Sequence, residues 1–150
     1  TIVEFFDYNC GYCRASLSDI TKLVAGDPKV KVVYRELPIL SEESNLAARV
    51  SLLAAEQGKY MPFHKALYAG GRVTKDSILA AATSVGLDRK AAEAAINSNH
   101  YDPEIESNLK LAQELGASGT PTFVVGNKIL NGAVGYDALK EAIAAARSGK

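Results

Sequence analysis

The sequence predicts an α/β fold, and three observations predict it. A strand, a helix and a second strand follow one another in the first quarter of the chain. A long stretch with helical periodicity and no convincing strand comes next. Two short strands and an amphipathic helix then close the chain. The 150 residues suffice for one domain with a sizeable core. Sheet strands flank the helical block on both sides, so the block is expected to be an insertion. A single domain over 1–150 is therefore predicted. Its sheet-bearing parts are 1–40 and about 117–150, and the helical insertion with its connecting helix is about 41–116.

Each element has its own signal. "TIVEFF" (1–6) is β-branched and aromatic, and suits a buried strand. "DYN" breaks it. A helix follows from Cys10, with Ala15, Leu17, Ile20, Leu23 and Val24 at near-helical spacing, and "GDP" (26–28) ends it. "KVKVVYREL" (29–37) alternates, then turns apolar, as a strand closed by Pro38 does. This βαβ order implies two parallel strands. Ser41 opens a helix with Leu46, Val50 and Leu53 on one face. "YMPFHKALYAGG" reads as a short helix stopped by paired glycines. Thr74 and Asp88 cap two more, and Gly86 stops the first of these. A further helix is expected with Asp102 as cap, Pro103 in the first turn and Gly116 as stop. "TPTFVVG", the tight turn "GNK" and "KILNG" form a hairpin, and "GYDALKEAIAAARSGK" is the closing helix.

Composition excludes several classes. Lys+Arg and Asp+Glu both number 17, so the formal charge is zero. No basic run or basic–aromatic interleaving favours nucleic acid. No apolar run is long enough to span a membrane. The chain opens at Thr1, without Met and already inside a strand. A processed or trimmed chain, lacking a signal and an N-terminal segment, is the expectation.

The only two cysteines, Cys10 and Cys13, stand three residues apart at the junction of strand and helix. Three readings compete. A structural disulfide closes so short a loop that it adds little stability. Zinc wants four N/S ligands, and His64 and His100 lack the spacing to complete a set. A redox pair has a physical purpose at this position. Unpaired N–H groups and the helix macrodipole favour a thiolate at Cys10, and Cys13 lies one turn on, within reach of the same sulfur. Cys10 would form a mixed disulfide and Cys13 would resolve it. A CxxC motif inside a βαβ unit is a stronger signal than the bare motif.

Pro121 precedes a strand, where proline is tolerated at the first position. Thr120–Pro121 is either an ordinary strand start or a cis site whose Thr120 backbone faces the group opposite; beside a CxxC helix the cis form is expected. "EFFDYNCGYCRASL" followed much later by "GTPTFVVG" resembles the thioredoxin-fold disulfide oxidoreductases of the bacterial periplasm. The helical block resembles the insertion of the DsbA-like branch, near the ScsC and BdbD group. Gly11–Tyr12 and the Thr–Pro pair are closer to the isomerase DsbC. The resemblance covers essentially the whole chain.

The resemblance implies a thioredoxin fold and a thiol–disulfide oxidoreductase or isomerase that needs no cofactor and no metal. It implies cysteine-containing protein substrates, a redox partner that recycles the pair, and a periplasmic or extracytoplasmic location. Oligomers in this group form through an N-terminal segment. It assigns Cys10 as nucleophile, Cys13 as resolving thiol, and Glu4 as a buried acid that relays the Cys13 proton. It places Gly11, Tyr12, Thr120 and Pro121 against substrate. On the residues alone Glu4 is either solvent-facing on an alternating strand or buried among Ile2, Val3, Phe5 and Phe6. Tyr12 stands where DsbA has a charge-bearing histidine, so the Cys10 pKa should be less extreme, and the oxidising power intermediate between thioredoxin and DsbA. Arg14 is either a surface charge or a source of local positive potential. His64 and His100 are expected as packing or surface residues. The rival function is a Cu(I)-binding or metal-delivery module using the same two thiolates.

Overall fold

The structure, a computed structural model, describes residues 1–149. Eleven elements succeed one another: β1 (Ile2–Phe6), α1 (Gly11–Gly26), β2 (Val32–Glu36), α2 (Glu42–Glu56), α3 (Tyr60–Ala69), α4 (Lys75–Ser84), α5 (Arg89–Ile96), α6 (Asp102–Glu114), β3 (Thr122–Val125), β4 (Lys128–Asn131) and α7 (Tyr136–Arg147). The four strands make one mixed sheet in the order β2-β1-β3-β4. β1 runs parallel to β2, with Val3 opposite Val33, and antiparallel to β3, with Glu4 opposite Phe123. The β3–β4 turn is two residues, Gly126 and Asn127, with Lys128 already paired to Val125. Gly126 takes φ +60°, and a Cβ there would lie 3.0 Å from Ala146 Cβ, so both the turn and the close approach favour glycine.

β1 is a central strand, which explains its run of apolar residues. Successive side chains alternate between faces. Ile2 packs with Ile20, Leu23, Phe123, Leu139 and Ile143, which places α1 and α7 on one face. Phe5 and Val3 meet Ala112 and Leu111 of α6 on the other. Phe6, at the end of β1, reaches the helical block and shares its core with Val50, Phe63, Leu67 and Ile78. Burying a Phe or Leu side chain stabilises by roughly 1.5–3 kcal/mol, so this core ties the helical block firmly to the sheet.

Ser41, Thr74 and Asp88 cap α2, α4 and α5 through their side-chain oxygens. Asp102 does not cap α6. Tyr101 holds the N-cap position without a side-chain bond, and the Asp102 carboxylate instead receives the Arg49 guanidinium at 3.1 and 3.2 Å. An ion pair to α2 outcompetes the local cap.

Candidate active site

β1 ends at Phe6, and the next three residues turn the chain into α1. Asp7 Oδ1 accepts from Asn9 N–H at 2.8 Å, an Asx turn, and the Asp7 carbonyl accepts from Cys10 N–H at 3.1 Å. Cys10 is the N-cap of α1, in extended conformation, and its sulfur accepts from Cys13 N–H at 3.1 Å. A sulfur thus occupies the position a Ser or Asp oxygen usually takes, facing unpaired helix N–H groups. Cys10 is 5% exposed and Cys13 1%, and both are free thiols.

The two sulfurs titrate in opposite directions. The hydrogen bond from Cys13 to its sulfur, aided by that of the Cys13 backbone, lowers the Cys10 pKa to about 6 against the opposition of burial. Burial, and then the hydrogen bond with Cys10, push the Cys13 thiol far up. At neutral pH the pair is one thiolate and one thiol that keeps its proton.

The Thr120–Pro121 peptide bond is cis, and the Thr120 carbonyl lies 3.4 Å from the Cys10 sulfur, which donates to it only when protonated. Beside them a hollow of about 300 Å³ is lined by Ser118, Gly119, Thr120, Pro121, Thr122, Asn131 and Gly132. Gly11 is exposed, and a Cβ there would meet nothing within 4 Å. Tyr12 is 71% exposed. Glu4 lies on the α1 side of the sheet with Ile2 and Phe6, 2% exposed. Burial raises its pKa to about 8, and the Cys10 charge adds to the rise.

Arg14 is half-buried and tied down, not a free surface charge. Its guanidinium donates to the carbonyls of Tyr68 and Gly71, each at 2.8 Å, and so ties α1 to the end of α3. His64 is a core residue. Its Nδ1 pairs with Tyr8 Oη at 2.9 Å inside an aromatic cluster of Phe6, Tyr34, Tyr60 and Tyr68, and burial lowers its pKa to about 3. His100 is an exposed residue near Glu56.

Sequence reasoning missed Asp7 and Asn9, which it took only as breakers of a strand. Asp7 is 2% exposed, and its carboxylate accepts four hydrogen bonds, from Asn9 N, Ile39 N, Leu40 N and Ser44 Oγ. Asn9 donates to Ser41 Oγ at 2.8 Å and accepts from Val73 N–H at 3.1 Å. The available signal was the Asp-x-Asn spacing directly before a helix N-terminus.

Residues 1–144 match the family model described as the DSBA-like thioredoxin domain. The chain belongs to this family. A thioredoxin-like oxidoreductase from Silicibacter pomeroyi is 42% identical with a TM-score of 0.93, over 98% of this chain and 86% of that one. A periplasmic thioredoxin-like protein from Salmonella enterica serovar Typhimurium is 32% identical with a TM-score of 0.82, over 98% and 83%. The thiol-disulfide exchange protein alpha-DsbA2 of Wolbachia pipientis is 31% identical with a TM-score of 0.85, over 95% and 79%. The chain is also 26% identical over 152 residues to a Na(+)/H(+) antiporter NhaA of Salinispora arenicola. It aligns over 99% of its own length there but spans only 23% of the antiporter. No helix among the described residues is long and apolar enough to cross a membrane.

Proposed function

We propose that this DsbA-like domain exchanges disulfides with cysteine pairs of extracytoplasmic proteins, Cys10 being the sulfur that bonds to substrate and Cys13 the one that resolves the intermediate. The observation that carries this reading is geometric: Cys10 caps α1 with its sulfur accepting from Cys13 N–H at 3.1 Å, and the Thr120 carbonyl of the cis peptide lies 3.4 Å from the same sulfur. A depressed thiol at a helix N-terminus is both a good nucleophile and a good leaving group.

In the oxidising direction a substrate thiolate attacks Cys10 Sγ of the Cys10–Cys13 disulfide. The S–S bond breaks, Cys13 leaves and takes up a proton, and a substrate–Cys10 disulfide forms. A second substrate thiolate attacks the substrate sulfur and expels Cys10 as a thiolate. The substrate has lost two electrons and gained a disulfide, and the protein has been reduced by two electrons. A recycling partner reverses that reduction. Glu4, buried and neutral below about pH 8, is the proton store for the pair. The hollow beside Thr120 and Pro121 accommodates an extended substrate segment, and Gly11 leaves the approach to Cys10 open.

The equilibrium potential of the pair against glutathione tests the reading. A value between about −120 and −270 mV, the range from DsbA to thioredoxin, is expected. Values near −120 to −180 mV mark disulfide donation or shuffling, and values near −270 mV mark reduction of partners. A pair without a reversible couple that binds Cu(I) through both thiolates would overturn the reading in favour of a metal-delivery module.

A further inference from the structure

Among the described residues three carboxyl groups are buried: Glu4, Asp7 and Glu36, each 2% exposed. Two of them are driven toward the neutral form. Burial raises the pKa of Glu4 and of Glu36, and Glu36 Oε1 meets no donor. Asp7 is the opposite case. Its Oδ1 accepts from Asn9 N–H at 2.8 Å and from Ser44 Oγ at 2.6 Å, and its Oδ2 accepts from the N–H groups of Ile39 and Leu40, each at 2.9 Å. Donors at both oxygens favour the charged form of a buried carboxyl group. Hydrogen bonds to that form are roughly twice as strong as neutral ones.

The same aspartate is bonded to the reacting cysteine. Its carbonyl accepts from Cys10 N–H at 3.1 Å and from Tyr68 Oη at 3.3 Å. The residue that fixes the Cys10 amide therefore carries a fixed anion. A thiolate close to an anion is disfavoured. At the Cys10 sulfur the hydrogen bond from Cys13 is the largest influence and lowers the pKa, whereas the Asp7 charge is a smaller one and raises it. The nearby cation, Arg14, has its guanidinium turned to the carbonyls of Tyr68 and Gly71, each at 2.8 Å. A less stable thiolate is a poorer leaving group, and its disulfide is a weaker oxidant.

We propose that Asp7 sets the oxidising power of the cysteine pair: its side-chain bonds hold the Cys10 turn in N-cap geometry, and its fixed buried charge opposes the thiolate that this geometry favours. Asp7 is a positioning residue and touches no substrate. The inference rests on the thiol-exchange reading and adds to it what restrains the pair.

The test uses the whole chain, with the pH midpoint of Cys10 alkylation by iodoacetamide and the potential of the pair against glutathione as readouts. Asp7→Asn keeps the shape of the side chain and removes its charge. The midpoint should fall from about 6 by about half a pH unit, a threefold gain in thiolate. The same threefold change makes the potential of the two-electron couple about 15 mV less negative. A merely structural role moves both readouts the other way. Losing the Asn9 turn would loosen the cap, and the midpoint would rise toward the ordinary thiol value of about 8.5. Asp7→Ser, whose hydroxyl makes the same kind of turn more weakly, is a second neutral variant and should shift both readouts in the same sense as Asp7→Asn. Ser44→Ala keeps the charge and removes one donor, so its midpoint should stay at the wild-type value or lie above it. A midpoint unmoved or raised in either folded neutral variant, or lowered equally in Ser44→Ala, would overturn the inference and leave the redox reading standing. Absence of any reversible cysteine couple in wild type would overturn the redox reading and the inference together.

Discussion

At the scale of the residue, the site is defined by two sulfurs and one carboxyl whose protons are held unequally. Cys10 titrates at about 6, below the ordinary thiol, because Cys13 supplies hydrogen bonds to its sulfur. The rate of Cys10 alkylation should therefore follow a single titration centred near pH 6, falling about tenfold per pH unit below it as the thiolate is protonated. Cys13, still a protonated thiol over that range, should not react. A midpoint near the ordinary thiol value of about 8.5 would show that the N-cap geometry does not hold in solution. Glu4 gives a second expectation. When Cys13 attacks a mixed disulfide at Cys10 it must shed a proton, and the Glu4 carboxylate becomes available to receive it as pH rises through a value raised by burial but below the reduced protein's value of about 8, since Cys10 carries no charge in the mixed disulfide. Resolution of a Cys10–glutathione disulfide should accelerate through that pH in wild type. In Glu4→Gln it should be slower by about a hundredfold and lack the step. The cysteines announced themselves in the sequence through spacing alone. Burial of Glu4 did not, because a strand alternates and either face was open to it until Ile2 and Phe6 were seen on the α1 side.

At the scale of the element, local chemistry was legible wherever the competing partner was also local. Ser41, Thr74 and Asp88 cap the helices they precede because each finds its acceptor role three residues on. Asp102 fails for the opposite reason: Arg49, distant in sequence, claims its carboxylate. Arg14 was equally opaque, since its partners are main-chain oxygens of a helix end far along the chain. Ser41 combines both kinds of contact, accepting from Ser44 N–H at 3.1 Å and from Asn9 Nδ2 at 2.8 Å. Ser41→Ala should destabilise the protein by about 1 kcal/mol, the usual loss of an N-cap. Because Asn9 then loses its anchor, the substitution should also disturb the Cys10 turn, read as a shift in the alkylation midpoint. Asp88→Ala, a cap on α5 with no bond to Asn9 or its partners, should cost a similar stability and leave that midpoint in place. Equal midpoints in both variants would mean that Asn9 does not transmit the change.

At the scale of the whole molecule, the sheet and the helical block meet in a polar, aromatic seam that composition could not reveal. Tyr8 Oη pairs with Ser51 Oγ and His64 Nδ1, and Glu36 lies buried close by with Oε1 unpaired, its pKa raised first by burial. These residues come from β2, α2, α3 and the cysteine turn, so only the assembled fold brings them together. The same assembly links electrons to protons at the redox pair. Below about pH 6 reduction of the disulfide takes two electrons and two protons, and above it Cys10 stays a thiolate and one proton suffices. Each proton in a two-electron couple is worth about 30 mV per pH unit, so the slope of the potential should change from about 59 to about 30 mV per unit. Glu4 modifies this. Part of its raised pKa comes from the Cys10 thiolate, which exists only in the reduced protein. Between its oxidised-state value and about 8, Glu4 therefore takes up an additional share of a proton on reduction. Wild type should keep a slope steeper than 30 mV per unit up to about pH 8, whereas Glu4→Gln should show one break near pH 6 and the shallow slope beyond it. Superimposable slopes for the two proteins would show that Glu4 and Cys10 do not share a field, and would remove Glu4 from the proton path of the pair.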